Sequence, residues 1–89
     1  MARHTIEVLG RGCGACDWTE RLVRETVAAL GADATVIKVD DTAALIARGV
    51  LATPAIAVDA KIVHMGGLPR KAQIEAWIRD LDQTPGSNA

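Results

Sequence analysis

Residues 5–24 have the sequence TIEVLGRGCGACDWTERLVR, in which an alternating apolar segment is followed by two cysteines and a helical pattern. The alternation from His4 to Leu9 predicts a β-strand, because every second side chain of a strand faces the same side. The apolar spacing from Asp17 to Leu30 fits a period of 3.6 residues and predicts an α-helix. The two cysteines, Cys13 and Cys16, therefore lie where a strand passes into a helix.

That position gives the cysteine pair a specific chemistry. Two thiols three residues apart at the start of a helix lie on one face, so they can close into a disulfide with little backbone movement. The unpaired backbone N–H groups and the dipole of the helix favour a thiolate, which lowers the thiol pKa from its ordinary value of about 8.5. Because Cys13 and Cys16 are the only cysteines of the sequence, we predict a redox site here.

The length and composition predict one small domain. The chain has 89 residues, of which 49% are hydrophobic, enough for one core. It contains neither Phe nor Tyr, so the core must be aliphatic apart from the two tryptophans. We expect residues 1–82 to form the domain, and residues 83–89, rich in Pro, Gly, Ser and Asn, to form a flexible tail.

The charge and hydropathy exclude two classes of partner. The net charge of -1 comes without a basic patch, which argues against nucleic acid. No segment is apolar over the length that crosses a bilayer, and the first residues lack the apolar region of a signal peptide. We therefore expect a cytoplasmic protein, in which a lone cysteine pair is more often catalytic or metal-binding than structural.

The rest of the chain predicts a mixed α/β fold. The remaining predicted elements are strands at 34–39, 55–58 and 61–65, a short helix at 42–48 capped by Asp40 or Asp41, and a last helix from Pro69 onward. The first strand, helix and strand form a βαβ unit, whose strands run parallel. The order β-α-β-α-β-β-α then predicts a four-stranded mixed sheet flanked by three helices.

The same patterns assign side chains to the core or to the surface. Residues predicted to be buried are Trp18, Leu22, Val23, Val27 and Leu30 on the first helix, Val50 and Leu51 before the hairpin, and Ile74, Trp77, Ile78 and Leu81 on the last helix. Residues predicted to be exposed are His4, His64 and Glu7.

The arrangement resembles the thioredoxin fold. It has a strand, a C-x-x-C that opens a helix, the Thr53-Pro54 loop just before a β-hairpin, the pair Gly66-Gly67 and a terminal helix. The similarity covers Thr5 to about Leu81. The short length is similar to that of the small, glutaredoxin-sized redox-active disulfide proteins of the thioredoxin superfamily.

This resemblance implies a role for each matching residue. Cys13 would be the attacking thiol and Cys16 the resolving thiol, and the two would form the redox-active disulfide. The Thr53-Pro54 peptide bond would be cis and pack beside the disulfide, and the Thr53 backbone would bind the substrate. Gly66 and Gly67 would let the chain turn close to that substrate. The residues that would tune the site are Arg11, Gly12, Gly14, Ala15 and Trp18.

The resemblance further implies an enzyme that reduces protein disulfides without a cofactor or metal. An NADPH-dependent flavoprotein of the thioredoxin reductase type would re-reduce it, and we expect a monomer. One alternative is a glutaredoxin-like protein that uses glutathione, although Leu68 follows Gly66-Gly67 where glutaredoxins carry an acidic residue. The other is a metal carrier without redox turnover, since C-x-x-C is half of a tetrahedral thiolate site.

Overall fold

A computed structural model describes residues 3–11 and 14–83 of the chain. Within these residues the elements are β1 (His4–Leu9), α1 (Gly14–Leu30), β2 (Ala34–Val39), α2 (Thr42–Ala47), β3 (Ala55–Val58), β4 (Lys61–Met65) and α3 (Lys71–Gln83). The predicted order β-α-β-α-β-β-α is confirmed. The predicted tail lies outside the described residues from position 84 onward, and the domain limits remain a prediction.

The four strands form one mixed sheet in the order β2-β1-β3-β4. β1 runs parallel to β2, with Ile6 opposite Val36, and antiparallel to β3, with Val8 opposite Ile56. β3 and β4 form an antiparallel hairpin with a register shift between Ile56 and Ala57. Because β1 is hydrogen-bonded on both sides, the loop that follows it leaves from the middle of the sheet.

The helix boundaries follow local signals. Asp41 caps α2, as predicted, and its Oδ2 accepts the Ala44 N–H at 3.0 Å. α1 begins at Gly14, three residues before the predicted start, and α3 begins at Lys71, two residues after Pro69. Within the described ranges, no helix combines the length and the apolar character needed to cross a membrane.

The β3–β4 turn is held by the side chain of Asp59. Asp59 and Ala60 have φ values of 50° and 73°, as in the two-residue turns that suit hairpin twist. The Asp59 carboxylate accepts the Thr5 N–H at 2.9 Å and bonds the His4 Nδ1 at 2.8 Å. Burial acts to raise the pKa of Asp59, but the bonds from Thr5 and His4 outweigh it, so this pKa lies below its ordinary value. The prediction that His4 is exposed is wrong, since only 7% of it is accessible.

The hydrophobic core consists of two clusters, one on each face of the sheet. The face covered by α1 and α3 holds Ile6, Val8, Val23, Val36, Ile56, Ile74, Ile78 and Leu81. The face covered by α2 holds Leu9, Leu45, Ala55 and Ala57, with Val39, Val50 and Ile62 packed against them. β1 contributes to both clusters, so burial on both faces holds it at the centre of the domain.

The buried face of α1 differs from the predicted one. Trp18 is 46% exposed and Leu30 36% exposed, so their assignment to the core is wrong. Thr19 and Thr26 are buried instead, and each hydroxyl donates to the backbone carbonyl four residues earlier, at 2.7 Å in both cases. The hydroxyl is thereby satisfied, and the methyl group of each threonine can pack in the core.

Three assignments in the C-terminal half of the chain have different outcomes. Trp77 packs against the first core cluster, as predicted, although it remains half-buried. Leu51 is 90% exposed, so its assignment to the core is wrong. Val50 does pack against the second cluster.

The core assignment generates a stability prediction. Ile74→Ala should lower the free energy of unfolding by about 2–5 kcal/mol, because it removes buried methyl groups and leaves a cavity. Ile46→Ala is the matched control, since Ile46 is 72% exposed and its truncation should change stability by no more than about 0.5 kcal/mol. Urea unfolding followed by circular dichroism measures both. Equal losses in the two variants would contradict this description of the core.

Candidate active site

The candidate site lies where β1 ends and α1 begins. α1 starts at Gly14, so Cys16 sits in its first turn, where backbone N–H groups lack partners within the helix. Cys16 is completely buried and disulfide-bonded. Gly12 and Cys13 lie outside the described residues, so the roles assigned to them remain predictions.

The Cys16 sulfur lies between the end of β1 and the loop before β3. A Cβ atom placed on Gly10 would overlap the Cys16 Sγ and would lie 3.2 Å from the Cys16 Cβ and 3.5 Å from the Thr53 Cβ. Gly10 and Thr53 therefore both border the buried cysteine. The structure thus brings together Cys16 and Thr53, two of the residues that the resemblance singled out.

The Thr53-Pro54 loop forms the opposite side of the site. The Thr53-Pro54 peptide bond is cis, as the resemblance implied, and Pro54 is buried while Thr53 is exposed. The Pro54 carbonyl accepts the Gly66 N–H at 2.9 Å, which ties this loop to the turn after β4. Gly66 and Gly67 have φ values of 81° and 73°, in the left-handed region that favours glycine.

His64 holds this glycine turn in place, a role that the sequence did not indicate. Its Nε2 lies 2.9 Å from the Gly67 carbonyl oxygen, and because a carbonyl only accepts, that nitrogen carries the proton. The His64 ring also packs against Trp77, with 5.8 Å between the ring centroids. His64 lies near the end of β4, half-buried but with this hydrogen bond at the surface, which agrees with the prediction of a surface residue at a strand end.

Arg11, which was expected to tune the cysteines, is hydrogen-bonded to the beginning of α2. Its Nη1 donates to the Thr42 Oγ1 at 2.6 Å, and the two residues line an open cleft of about 420 Å³ together with Asp40 and Asp41. The hydrogen bond to Thr42 is thus the contact that the structure shows for the Arg11 side chain, and a role of Arg11 in tuning the cysteines stays a prediction.

Asp17, the acidic residue directly after Cys16, is also paired. Its Oδ1 accepts a hydrogen bond from the Lys38 Nζ at 2.9 Å. This bond is the main reason that the pKa of Lys38 lies above its ordinary value. Lys38 on β2 thus offsets the negative charge of Asp17, the residue that directly follows Cys16. No sequence pattern connects positions 17 and 38, because the pair forms only when α1 packs against β2.

The other expected tuning residues lie around the first turn of α1. Gly14 is exposed, and a Cβ atom there would meet nothing within 4 Å. The Ala15 carbonyl accepts the buried hydroxyl of Thr19. Trp18 is half exposed on the surface of the helix, so it does not fill the core below the cysteines.

A second ion pair links β1 to Arg48, the residue that caps the C-terminal end of α2. Both carboxylate oxygens of Glu7 accept hydrogen bonds from Arg48, at 2.8 and 2.9 Å, and the two side chains are only 17% and 29% exposed. These hydrogen bonds outweigh burial and hold the pKa of Glu7 below its ordinary value. The prediction that Glu7 is an exposed strand residue is wrong. A carboxylate held in its ionised form by Arg48 is also a poor proton donor at neutral pH.

Comparison with known proteins identifies similar sequences. A family model described as "Thioredoxin domain" matches residues 4–79. A protein named thioredoxin from Methanothermobacter thermautotrophicus is 34% identical over 70 residues, which cover 79% of this chain and 91% of that protein. A protein named thioredoxin from Methanocaldococcus jannaschii is 39% identical over 74 residues, which cover 83% of this chain and 85% of that protein.

The fold has a counterpart among solved structures. The crystal structure of oxidized mitochondrial thioredoxin 3 from Saccharomyces cerevisiae superposes with a TM-score of 0.68 at 16% sequence identity. The match covers 90% of this chain and 80% of the yeast chain. At this identity the similarity shows the fold, and it confirms the predicted thioredoxin-like topology.

The Glu7–Arg48 pair generates a pH-dependent prediction. Glu7→Gln should lower the free energy of unfolding at pH 7 by about 1–3 kcal/mol, because it removes charge-assisted hydrogen bonds. The pKa of Glu7 is lowered by folding, so the stabilisation is present above the unfolded-state pKa and is lost as pH falls through the folded-state pKa. The difference in the free energy of unfolding between wild type and Glu7→Gln should therefore become smaller as the pH falls.

Chemical unfolding between pH 3 and pH 7 measures this difference. Glu25→Gln is the control, since Glu25 is an exposed carboxylate on α1 and its loss should have little effect at either pH. If the free energies of unfolding of wild type and Glu7→Gln differ by the same amount at every pH in this range, the Glu7 charge does not stabilise the fold.

Proposed function

The chain belongs to the thioredoxin domain family and is a thiol–disulfide oxidoreductase, and we propose that it reduces protein disulfides by cycling Cys13 and Cys16 between dithiol and disulfide. The observation that carries this proposal is the buried, disulfide-bonded Cys16 in the first turn of α1. It lies beside Thr53, which is joined to Pro54 by a cis peptide bond. Since Cys13 is the only other cysteine of the sequence, it is the disulfide partner that we propose for Cys16.

The burial of Cys16 supports a division of roles between the two thiols. A sulfur with no accessible surface cannot reach a disulfide in another protein, so Cys13 makes the first attack. The Cys13 thiolate bonds to one substrate sulfur, and the other substrate sulfur leaves as a thiolate. Cys16, as a thiolate, then attacks the Cys13 sulfur, forms the internal disulfide and releases the second substrate thiolate. Two electrons pass from the protein dithiol to the substrate, whose two sulfurs take up two protons.

The surface around Pro54 supports a protein substrate. The exposed apolar side chains of Leu51 and Leu68 lie in the loops before Pro54 and after Gly66, and Met65 lies at the end of β4. The Leu51 N–H lies 3.4 Å from the Met65 Sδ, so the two loops adjoin. An extended substrate segment would place its backbone against Thr53 and apolar side chains on this surface.

The proposal includes the partner that supplies electrons. We propose an NADPH-dependent flavoprotein of the thioredoxin reductase type as the reductant. Leu68, 55% exposed directly after Gly67, disfavours glutathione, since an apolar side chain offers no bond to its charged groups. Monomeric state and cytoplasmic location remain predictions from the sequence.

The division of roles predicts a trapped intermediate. Cys16→Ser should accumulate a covalent adduct between Cys13 and a substrate disulfide, because the resolving thiol is missing. Mass spectrometry of the variant mixed with oxidised insulin, without added reductant, detects the adduct.

Cys13→Ser is the matched control and should form little or no adduct, because the remaining thiol is buried. Adduct formation by Cys13→Ser at the rate of Cys16→Ser would reverse the roles. Absence of an adduct in both variants would contradict the exchange mechanism.

The natural reductant is tested by a turnover assay. With NADPH and a thioredoxin reductase, the wild-type protein should reduce insulin at least about ten times faster than with glutathione, glutathione reductase and NADPH. Faster turnover with glutathione would favour the glutaredoxin-like alternative. One zinc or copper ion bound per chain after reducing purification, with no reductase activity, would favour the metal carrier.

A further inference from the structure

Gly10 occupies a position that backbone hydrogen bonding holds in place. It directly follows β1, it is buried, and its N–H donates to the Val39 carbonyl at 2.9 Å. This bond extends the parallel pairing of β1 with β2 by one residue. The backbone at position 10 therefore cannot move away from α1 without breaking the end of the central ladder.

Glycine is needed here for space and not for backbone conformation. The φ of Gly10 is not positive, unlike that of Gly66 and Gly67, so this angle does not by itself require glycine. A Cβ atom, however, would overlap the Cys16 Sγ. That sulfur cannot give way easily, since Cys16 has no accessible surface and is held by its disulfide. Thr53, with its Cβ 3.5 Å from the same point, limits movement on the other side.

We propose that Gly10 is a positioning residue of the exchange reaction, which keeps open the space that the Cys16 sulfur occupies and moves through. The inference rests on the proposed function, in which that sulfur alternates between a covalent bond and a free thiolate. When the S–S bond breaks, the two sulfurs separate from bonding distance to nonbonded contact. When Cys16 resolves the mixed disulfide, its sulfur must return to the position that it holds in the disulfide. A methyl group at position 10 would overlap that position.

The kinetic test compares Gly10→Ala with Gly31→Ala. Gly31 follows the far end of α1, where an added Cβ would meet nothing within 4 Å, but its φ of 62° strains an alanine, so this variant controls for a loss of stability away from the site. The mixed disulfide formed with a small disulfide peptide is followed by rapid acid quenching and mass spectrometry. We expect Gly10→Ala to release the peptide about tenfold or more slowly, as obstruction in a packed site implies, and Gly31→Ala to stay within about twofold of wild type. Release by Gly10→Ala at the wild-type rate would overturn the proposal.

A second measurement separates the contact with sulfur from a general packing defect. Under reducing conditions, Gly10→Ala is placed in the wild-type background and in Cys16→Ala, which lacks the sulfur but keeps the Cβ. The proposal predicts that Gly10→Ala lowers the urea concentration at the unfolding midpoint clearly in the wild-type background. In the Cys16→Ala background, which lacks the sulfur, the same substitution should lower the midpoint much less. Equal shifts in the two backgrounds would overturn it.

The two measurements also distinguish this proposal from the proposed function. If wild-type protein forms no mixed disulfide with any substrate, the exchange mechanism fails. The proposed role of Gly10 in that reaction then fails with it, whatever the unfolding series shows. If wild-type protein turns over and Gly10→Ala does so equally fast, the exchange mechanism stands and only the role of Gly10 is lost.

Discussion

The central strand β1 is hydrogen-bonded along both edges and buried on both faces. Its backbone pairs with β2 and β3, while Ile6 and Val8 enter one core cluster and Leu9 enters the other. It shares this double pairing with β3, which also contributes to both core clusters. Because the chain leaves β1 at Gly10 and reaches Cys16 within the first turn of α1, the reactive segment begins and ends on rigid elements. Rigid support of this kind is what a geometrically demanding exchange between sulfurs requires.

Three charged side chains near the ends of β1 and α1 bond residues other than the cysteines. Arg11 bonds Thr42, and Lys38 bonds Asp17. Glu7 bonds Arg48 on the far side of the sheet from the first core cluster. What remains at the start of α1 is the field of its backbone N–H groups, which favours a thiolate at the helix end. Such a field is moderate, and it does not depend on the protonation of any neighbouring side chain.

Much of the fold could be predicted because the signals involved are local. The strands at 34–39, 55–58 and 61–65 were predicted with the bounds that the structure has, since alternation and turn residues act over a few positions. Several of the errors concern side chains whose burial depends on a hydrogen bond and not on apolar character. Thr26 is buried because its hydroxyl is satisfied within the helix, and His4 is buried because Asp59 reaches it from the hairpin turn. Neither burial is visible in hydrophobic periodicity.

The sequence alone was enough to establish the element order and the place of a cysteine pair at a strand-to-helix junction, and from these came the expectation of redox chemistry. The element order and the place of the cysteine pair both depend on short-range geometry, namely the hydrogen-bonding period of a helix and the alternation of side chains along a strand. The contact between Gly10, Cys16 and Thr53 could emerge only from the folded chain. Residue 53 lies far from the other two in sequence, and the space at Gly10 depends on how closely α1 and the Thr53-Pro54 loop approach the end of β1. That approach results from the packing of the whole core, so no local pattern encodes it.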